Sequence, residues 1–287
     1  MSVASLPNCL SFAVTAPSIH NTQPWRFDLR GDVIDVYADR NRRIAGDSRG
    51  RQLTISVGAA LLNLRVALLA RGQRPITRLC PDEDRPDLLA RIVVVGRTRA
   101  PYGARRLAGM TGRPGRHIVQ PDGPVPQSML DELRDDARAE GCELTVYRQP
   151  LPDVIRGFRP AGISPSRWPA VFTAEPTTVV LSTADDDTTA WLLAGQAWER
   201  VRLRAAAAGV QSVLMTEPLE HPALRRYIGY GEPGRTAQAI VRLGYGRPAP
   251  PAPRRALADV VTVTRNSSGP SAHARGPATL NGAASRS

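Results

Sequence analysis

Residues 16–27 read APSIHNTQPWRF, and this stretch is the most informative in the chain. Its amide side chains, Asn21 and Gln23, each offer hydrogen-bond donors and an acceptor, as the edge of a planar heterocycle requires. Pro17 and Pro24 stiffen the loop, so these polar groups can be held in place before a ligand arrives. The plainer interpretation, a turn followed by a core aromatic residue, suits any one of these residues better than it suits the whole string.

The stretch resembles the PSxxNxQPW loop of nitroreductase-like flavoproteins, in which that loop holds FMN. Six positions match in register: Pro17, Ser18, Asn21, Gln23, Pro24 and Trp25. Residues 47–72 and 194–225 resemble helix and strand segments of the Acg-like actinobacterial branch, whose chains look like two fused nitroreductase subunits. The resemblance covers residues 10–262 and is weakest at 100–175. It implies an α+β fold of two nitroreductase-like halves that form a pseudo-dimer around a shared FMN site.

The composition is that of a globular protein whose positive charge has an unusual source. Hydrophobic residues make up 42% of the 287 residues, enough for a core in one large or two smaller domains. The net charge of +12 comes from arginine, because the sequence contains no lysine. Any phosphate would therefore be held by arginine, backbone N–H groups or hydroxyls. The arginines are spread along the chain without a nucleic-acid-binding motif, so we expect no specific nucleic-acid partner.

The cysteine, histidine and hydropathy patterns argue against several other classes of protein. Three cysteines and four histidines are widely spaced and form neither a disulfide framework nor a metal-ligand pattern, so no metal is expected. No apolar run approaches the ~20 residues of a membrane span. The first residues lack the basic start of a signal peptide. We therefore expect a cytoplasmic protein without membrane association.

Helical and strand periodicities alternate along the chain, which predicts an α+β or α/β protein. Long helices are predicted at 49–70, 126–140 and 188–208, the first of them capped by Asp47 or Ser48. Shorter patterns predict strands at 33–37, 92–95, 144–147, 177–182, 210–214 and 237–245, and a short helix at 222–227. Each half of the chain thus has a long helix flanked by short strands.

The predicted halves are residues 1–98, which carry the flavin-ring loop, and residues 99–264, which carry basic residues for the phosphate. Residues 265–287 are rich in Ser, Gly, Ala and Pro and lack periodicity, which predicts a disordered tail. The second half has no second NxQPW loop, since residues 163–171 lack the asparagine and the glutamine. We therefore expect one FMN per chain, in a site that needs no obligate partner chain.

The resemblance implies a site built from both halves. The residues that would bond or line the flavin ring are Pro17, Ser18, Asn21 and Gln23, with Ser212, Met215 and Thr216 beside it. The residues that would hold the phosphate by charge-assisted hydrogen bonds are Arg113, Arg116, Arg254 and Arg255. Plainer alternatives stay open for some of them, a solvated surface for the arginines and core packing for the methionine.

The function implied by the resemblance is that of an FMN-dependent oxidoreductase acting on a small molecule. NAD(P)H would bind transiently and deliver a hydride to the flavin, which passes electrons to a small acceptor. Such chemistry needs no side-chain acid, in keeping with a sequence that has no evident catalytic dyad. The alternative is a protein that sequesters FMN under a lid without turnover. Residues 148–170 look shorter than the family's segment there, which predicts a thinner lid and favours the enzyme.

Overall fold

The structure, a computed structural model, describes residues 6–111, 124–149, 175–229, 234–246 and 252–264. Several predictions from the sequence lie outside these ranges. They are the phosphate-side arginines Arg113 and Arg116, most of the 148–170 segment, and the tail at 265–287.

The first sheet is built mainly from the N-terminal part of the chain. Its strands are β1 (Trp25–Arg30), β2 (Val33–Ala38), β3 (Gln73–Leu79), β4 (Leu88–Arg97) and β9 (Val261–Val263). They lie in the order β3-β4-β2-β1-β9, with all pairs antiparallel except β1 and β9, which run parallel. The β1–β2 hairpin turns through two residues, of which Gly31 has φ +57°, a conformation that glycine adopts without steric cost.

The second sheet is antiparallel throughout and has four strands. These are β5 (Glu143–Val146), β6 (Thr177–Thr183), β7 (Gln211–Met215) and β8 (Thr236–Gly244), in the order β5-β6-β8-β7. If the strands of each sheet are renumbered from 1 along the chain, β5-β6-β8-β7 has the order 1-2-4-3. The strands β1-β2-β4-β3 of the first sheet have the same order, with β9 added beside β1. In both, the long helix falls between the second and third strands.

Six α-helices occur in the described ranges. They are α1 (Pro7–Ala13), α2 (Arg51–Ala70), α3 (Tyr102–Ala108), α4 (Gln127–Arg138), α5 (Thr188–Ala207) and α6 (Pro222–Gly229). The long ones, α2 and α5, are 20 residues each and lie against one another at the centre of the molecule. By length and composition α2 could cross a membrane, but 83% of its apolar window is buried inside the protein, which makes it the core helix of the fold.

The two central helices approach closely enough to touch through their backbones. A Cβ atom added at Gly58 of α2 would lie 2.4 Å from the Leu192 carbonyl oxygen, and one added at Gly195 of α5 would lie 2.0 Å from that of Ile55. Only glycine permits such an approach. The crossing therefore brings the start of each helix, and the loops that precede them, to the same region.

Aspartates hold the first turns of both central helices. Gly50 is the N-cap of α2, and Asp47, one of the two predicted caps, accepts hydrogen bonds from the backbone N–H groups of Gln52 (3.1 Å) and Leu53 (2.9 Å). Asp187 is the N-cap of α5 and accepts from the Ala190 N–H at 2.8 Å. The three cysteines are free thiols.

Candidate functional site

The loop that precedes β1 is held in an unusual backbone conformation. His20, Asn21 and Gln23 have φ values of 53°, 55° and 50°, in the left-handed region that residues other than glycine rarely adopt. Each such residue costs roughly 1–3 kcal/mol, so surrounding contacts must fix the loop. Two of these contacts are those of Ser18 Oγ, which accepts from the Gln23 N–H at 2.9 Å, and Ser56 Oγ of α2, which accepts from the Ile19 N–H at 3.2 Å.

The amides of the loop hold the segment that leads into β9, which we call the C-terminal strap (residues 252–256). The Asn21 amide nitrogen donates to the Pro253 carbonyl at 3.0 Å, and the Asn21 side-chain oxygen accepts from Arg254 at 2.9 Å. The Gln23 side-chain oxygen accepts from the Arg255 backbone N–H at 2.7 Å. The strap is therefore fastened to the loop by the two side chains that the sequence singles out.

A cleft of about 240 Å³ opens beside this loop, between the two central helices and strand β7. The first part of the chain contributes residues 17–20 of the loop and Ile55, Ser56 and Ala59 of α2. The second part contributes Trp198 and Arg202 of α5 and residues 212–217, on β7 and just after it. Most of the lining side chains are apolar, so the cleft suits a flat ligand with few polar groups.

Arg202, which lines the cleft, and Arg254 of the strap are close enough for their charges to interact. Arg202 donates two hydrogen bonds, at 2.6 and 2.7 Å, to Glu199, whose side chain is fully buried. Burial by itself lowers the pKa of Arg202, but the Glu199 carboxylate outweighs it and raises that pKa. Burial lowers the pKa of Arg254, and the positive charge of Arg202 lowers it further. The two guanidinium groups therefore share one region, where Glu199 balances only one of them.

The wall opposite the loop is fixed by a fully buried arginine. Arg51 donates to the Thr216 carbonyl at 2.9 Å and to Glu220 at 2.7 and 2.9 Å, and its side chain is 1% exposed. The Thr216 hydroxyl is bonded to the side-chain oxygen of Gln52 at 3.0 Å. The end of β7 is thereby anchored to the first turn of α2.

The structure brings five of the predicted site residues together along the cleft: Pro17, Ser18, Ser212, Met215 and Thr216. The predicted residues Asn21, Gln23, Arg254 and Arg255 lie next to it and hold the loop to the strap. The predicted Arg113 and Arg116 lie outside the described ranges. Within those ranges, no cluster of three or more His, Cys, Asp or Glu side chains could hold a metal ion.

Comparison with curated proteins gives matches along nearly the whole chain. A Mycobacterium tuberculosis H37Rv protein named "Putative NAD(P)H nitroreductase Rv3131" is 30% identical over 311 aligned positions, covering 88% of this chain and 89% of that protein. The chain belongs to this nitroreductase family. A second protein of the same strain, named "Putative NAD(P)H nitroreductase acg", is 26% identical. That alignment covers 90% of this chain and 95% of the relative. The predicted resemblance to the Acg-like nitroreductases is thus confirmed.

Solved structures of nitroreductase-family proteins align with this chain at low similarity. A Bacteroides fragilis nitroreductase with bound FMN aligns at a TM-score of 0.39 and 16% identity, covering 57% of this chain and 99% of that chain. A likeness at that level carries no argument about the site. A scan against protein-family models finds no match.

Three polar residues that line the cleft, His20, Arg202 and Glu217, could not be assigned to it from the sequence. His20 of the loop and Glu217 of the turn after β7 both line the cleft, and their side chains are in contact. Arg202 lies on a helix, where a charged side chain normally indicates a solvated face. Its spacing of three from Glu199 predicts a salt bridge on the helix. Only the tertiary crossing shows that Glu199 is buried and that Arg202 lies beside the loop.

Proposed function

We propose that this nitroreductase is an FMN-dependent oxidoreductase that uses NAD(P)H to reduce a small acceptor. The observation that carries the proposal is the cleft itself. Residues 17 and 18 and residues 212, 215 and 216, which the resemblance assigns to the flavin ring, line one cavity although they are distant in sequence. When bound, FMN would supply the hydride chemistry between nicotinamide and acceptor.

The cleft fits the chemical character of FMN at both ends. Ile55, Ala59 and Leu214 offer apolar surface for a planar ring. We place the phosphate near Arg254 and Arg202, where an arginine charge lacks a carboxylate of its own among the described residues. Arg113 and Arg116 remain proposed partners of the same phosphate. Arg255 holds the loop instead, through the Gln23 carbonyl at 3.2 Å and the nearby Asp39 carboxylate.

The Asn21 side chain can form hydrogen bonds with the strap and with the flavin ring at the same time. Its amide nitrogen has two hydrogens and its oxygen two lone pairs, and the bonds to Pro253 and Arg254 occupy one of each. One donor and one acceptor position therefore remain for the edge of the flavin. Gln23 is 5% exposed and its amide is committed to the strap and the loop, so we propose that it acts by fixing Asn21 and Arg254.

We further propose that the chain is a pseudo-dimer of two nitroreductase-like halves. Three features support this proposal: the shared strand order of the two sheets, the equal length of α2 and α5, and the crossing at the eighth residue of each helix, Gly58 and Gly195. The fifth residues, Ile55 and Leu192, each pack into the core of the opposite half. Such reciprocity is typical of a two-fold interface.

We propose a single site per chain because the second half has no NxQPW loop, whereas the corresponding arginines of the two central helices do not distinguish the halves. Arg202 is the fifteenth residue of α5, and its counterpart on α2 is Arg65. Arg65 donates to the buried Glu140 at 2.7 Å and to Gln196 at 2.5 Å, and Arg200 donates to the same carboxylate at 3.0 Å. Arg65 and Arg202 are thus each paired with a buried glutamate carboxylate.

Anaerobic reduction tests the proposed enzyme. With FMN bound, excess NADPH or NADH should bleach the visible flavin absorbance, and a nitroaromatic or a quinone should then restore it. Dithionite serves as a control, since it reduces a flavin that nicotinamide cannot reach. Bleaching by dithionite alone would contradict nicotinamide-driven turnover and favour the alternative function, sequestration of FMN.

We also propose a cytoplasmic location, which fractionation of the native host would test.

A further inference from the structure

A second and larger cavity, of about 770 Å³, lies next to the flavin cleft. The short helical turn Glu217–Glu220 separates the two, because Glu217 lines the cleft whereas Leu219 and Glu220 line this cavity. Its other walls come from the start of α2, the helix α6 and the start of β8. We call it the arginine pocket, after the five arginines that line it: Arg49, Arg51, Arg225, Arg226 and Arg235.

Only two carboxylates face these arginines among the described lining residues, and both are already engaged. Asp186 accepts from Arg49 at 2.9 Å and from Arg225 at 2.6 and 3.0 Å. Glu220 accepts from the buried Arg51. Five arginines against two carboxylates leave a net charge of +3 on the described lining of the pocket.

Two arginines of the pocket have no carboxylate partner in the described ranges. Within the described part of the chain, Arg235 donates only to Ser182, to its hydroxyl at 3.2 Å and to its carbonyl at 3.0 Å. Arg226 is exposed and has no hydrogen bond or ion pair with a described residue. Among the described residues, therefore, no carboxylate neutralises either guanidinium group, and the planar arrangement of donors in arginine matches phosphate geometry.

We propose that the arginine pocket binds a phosphate-bearing small molecule, with Arg226 and Arg235 as the principal phosphate ligands. The site is separate from the proposed FMN cleft and does not depend on it. The phosphates could belong to the nicotinamide dinucleotide or to a separate phosphorylated ligand. Arg51 connects the pocket with the cleft wall, since it bonds both Glu220 and the Thr216 carbonyl.

Calorimetric titration with inorganic pyrophosphate at about 0.15 M ionic strength tests the site, because nonspecific charge attraction is screened there. The full chain should bind pyrophosphate, and the double variant Arg226→Ala/Arg235→Ala should bind it roughly tenfold or more weakly. The matched control is Arg74→Ala/Arg78→Ala, which removes the same charge from exposed positions on β3 and should bind like the unaltered chain. Absent binding, or equal losses in both double variants, would overturn the proposal.

A second arm separates this pocket from the flavin cleft and identifies the source of the phosphate. Saturating FMN should leave pyrophosphate binding unchanged, and displacement by FMN would assign the anion to the cleft and overturn the proposal. Displacement by NADPH but not by NADH would assign the pocket to the 2′-phosphate, and displacement by both to the diphosphate. Binding that neither dinucleotide affects would support a separate phosphorylated ligand.

The fluorescence emission of Trp191 should report anion binding in the arginine pocket. The indole N–H of Trp191 donates to Asp186 at 2.8 Å, and the Arg49 guanidinium lies 4.9 Å from the centre of its ring. An anion that draws Arg49 or Arg225 away from Asp186 should change this environment. The pyrophosphate-dependent change in emission should be lost in Trp191→Phe. A change that persists in this variant would place the anion elsewhere and count against the pocket.

Discussion

Arg254 and Arg255 are adjacent in sequence but differ in their partners. Among the described residues, the Arg254 guanidinium donates only to neutral oxygens, those of the Asn21 amide, the Thr15 carbonyl and the strap itself. Arg255 has the Asp39 carboxylate at 3.5 Å and donates to the Gln23 and Asp259 carbonyls. Arg254 therefore keeps its charge available for an anion, whereas Arg255 fixes the loop.

Single substitutions should separate these two roles. Arg254→Ala should weaken FMN binding roughly tenfold to a hundredfold, because a hydrogen bond to a charged group contributes about 1.5–3 kcal/mol. Riboflavin, which lacks the phosphate, should lose much less. Arg255→Ala should weaken both ligands alike, since it loosens the loop. Fluorescence titration of each variant with both ligands measures these affinities, and equal losses for Arg254→Ala would remove Arg254 from the phosphate site.

Single site residues can be predicted from the sequence when they belong to one continuous motif, and not when the fold brings them together. Pro17 and Ser18 belong to one string, APSIHNTQPWRF, and could be assigned to a site before any fold was known. Arg202 could not, because its position beside the loop depends on the crossing of α2 and α5. The hydrogen bond from Asn21 to the Pro253 carbonyl could not be predicted either, since it joins residues more than 230 positions apart.

At the scale of elements, the crossing of α2 and α5 depends on two glycines. Gly195→Ala would place a methyl group 2.0 Å from the Ile55 carbonyl oxygen, which cannot move away as a flexible side chain could. We expect the helices to separate and the protein to lose roughly 3 kcal/mol or more of unfolding free energy. Urea denaturation followed by circular dichroism measures this loss.

The matched control for that prediction is Gly103→Ala in α3. A Cβ atom there meets nothing within 4 Å, so the substitution should leave stability unchanged or raise it by about 0.5–1 kcal/mol, through the better helix propensity of alanine. Equal stability of the Gly195→Ala variant and the unaltered chain would mean that the helices are less closely packed than the structure indicates.

The elements differ in how far local patterns predict them. The helices α2 and α5 follow from long apolar periodicities, and the predicted bounds of 49–70 and 188–208 lie close to the observed ones. The strand β3 contains a proline and exposed arginines, so its sequence does not read as a central strand. A sheet tolerates these residues in β3 because β3 is an edge strand. The three-residue β9 exists only by pairing with β1, and no local signal predicts such a partner.

At the scale of the whole molecule, the arginine excess contributes to stability as well as to the proposed sites. Asp35 is fully buried in the first sheet between Arg30 and Arg91, and Arg91 donates to it at 2.6 and 2.8 Å. Burial alone would raise the pKa of Asp35. The hydrogen bonds and charges of Arg91 and Arg30 outweigh burial, so its pKa lies below the usual value.

This shift predicts a particular pH dependence. A carboxylate with a lowered pKa in the folded state stabilises the protein above its unfolded pKa of about 3.9, and that contribution is lost as the pH falls through the folded value. The free energy of unfolding should therefore fall more steeply below about pH 4 in the unaltered chain than in Asp35→Asn. Urea midpoints across the acidic range measure this slope.

Two comparisons make the result decisive. Asp35→Asn should be less stable near neutral pH by roughly 3 kcal/mol, because the two arginines lose their buried partner. Asp84→Asn, at an exposed position, should follow the unaltered chain throughout. Parallel pH curves for Asp35→Asn and the unaltered chain would show that the Asp35 pKa does not shift on folding.

The proposed flavin site would be built from both sheets and would occur once per chain. The proposed cleft takes its loop from one half and β7 from the other, and the second half has no NxQPW loop with which to form an equivalent cleft. The sequence predicts this asymmetry through the missing second NxQPW loop. The identity of the side chains around Arg65 could be found only from the packing of α2 against α5.

Equilibrium titration of the full chain with FMN, with bound flavin counted against protein, tests the central claim most directly. A single shared cleft predicts saturation at one FMN per chain in one binding phase, with a yellow protein whose bound flavin survives gel filtration. Saturation at two FMN per chain would contradict the single cleft. Absence of binding would contradict the assignment of this cleft to a flavin.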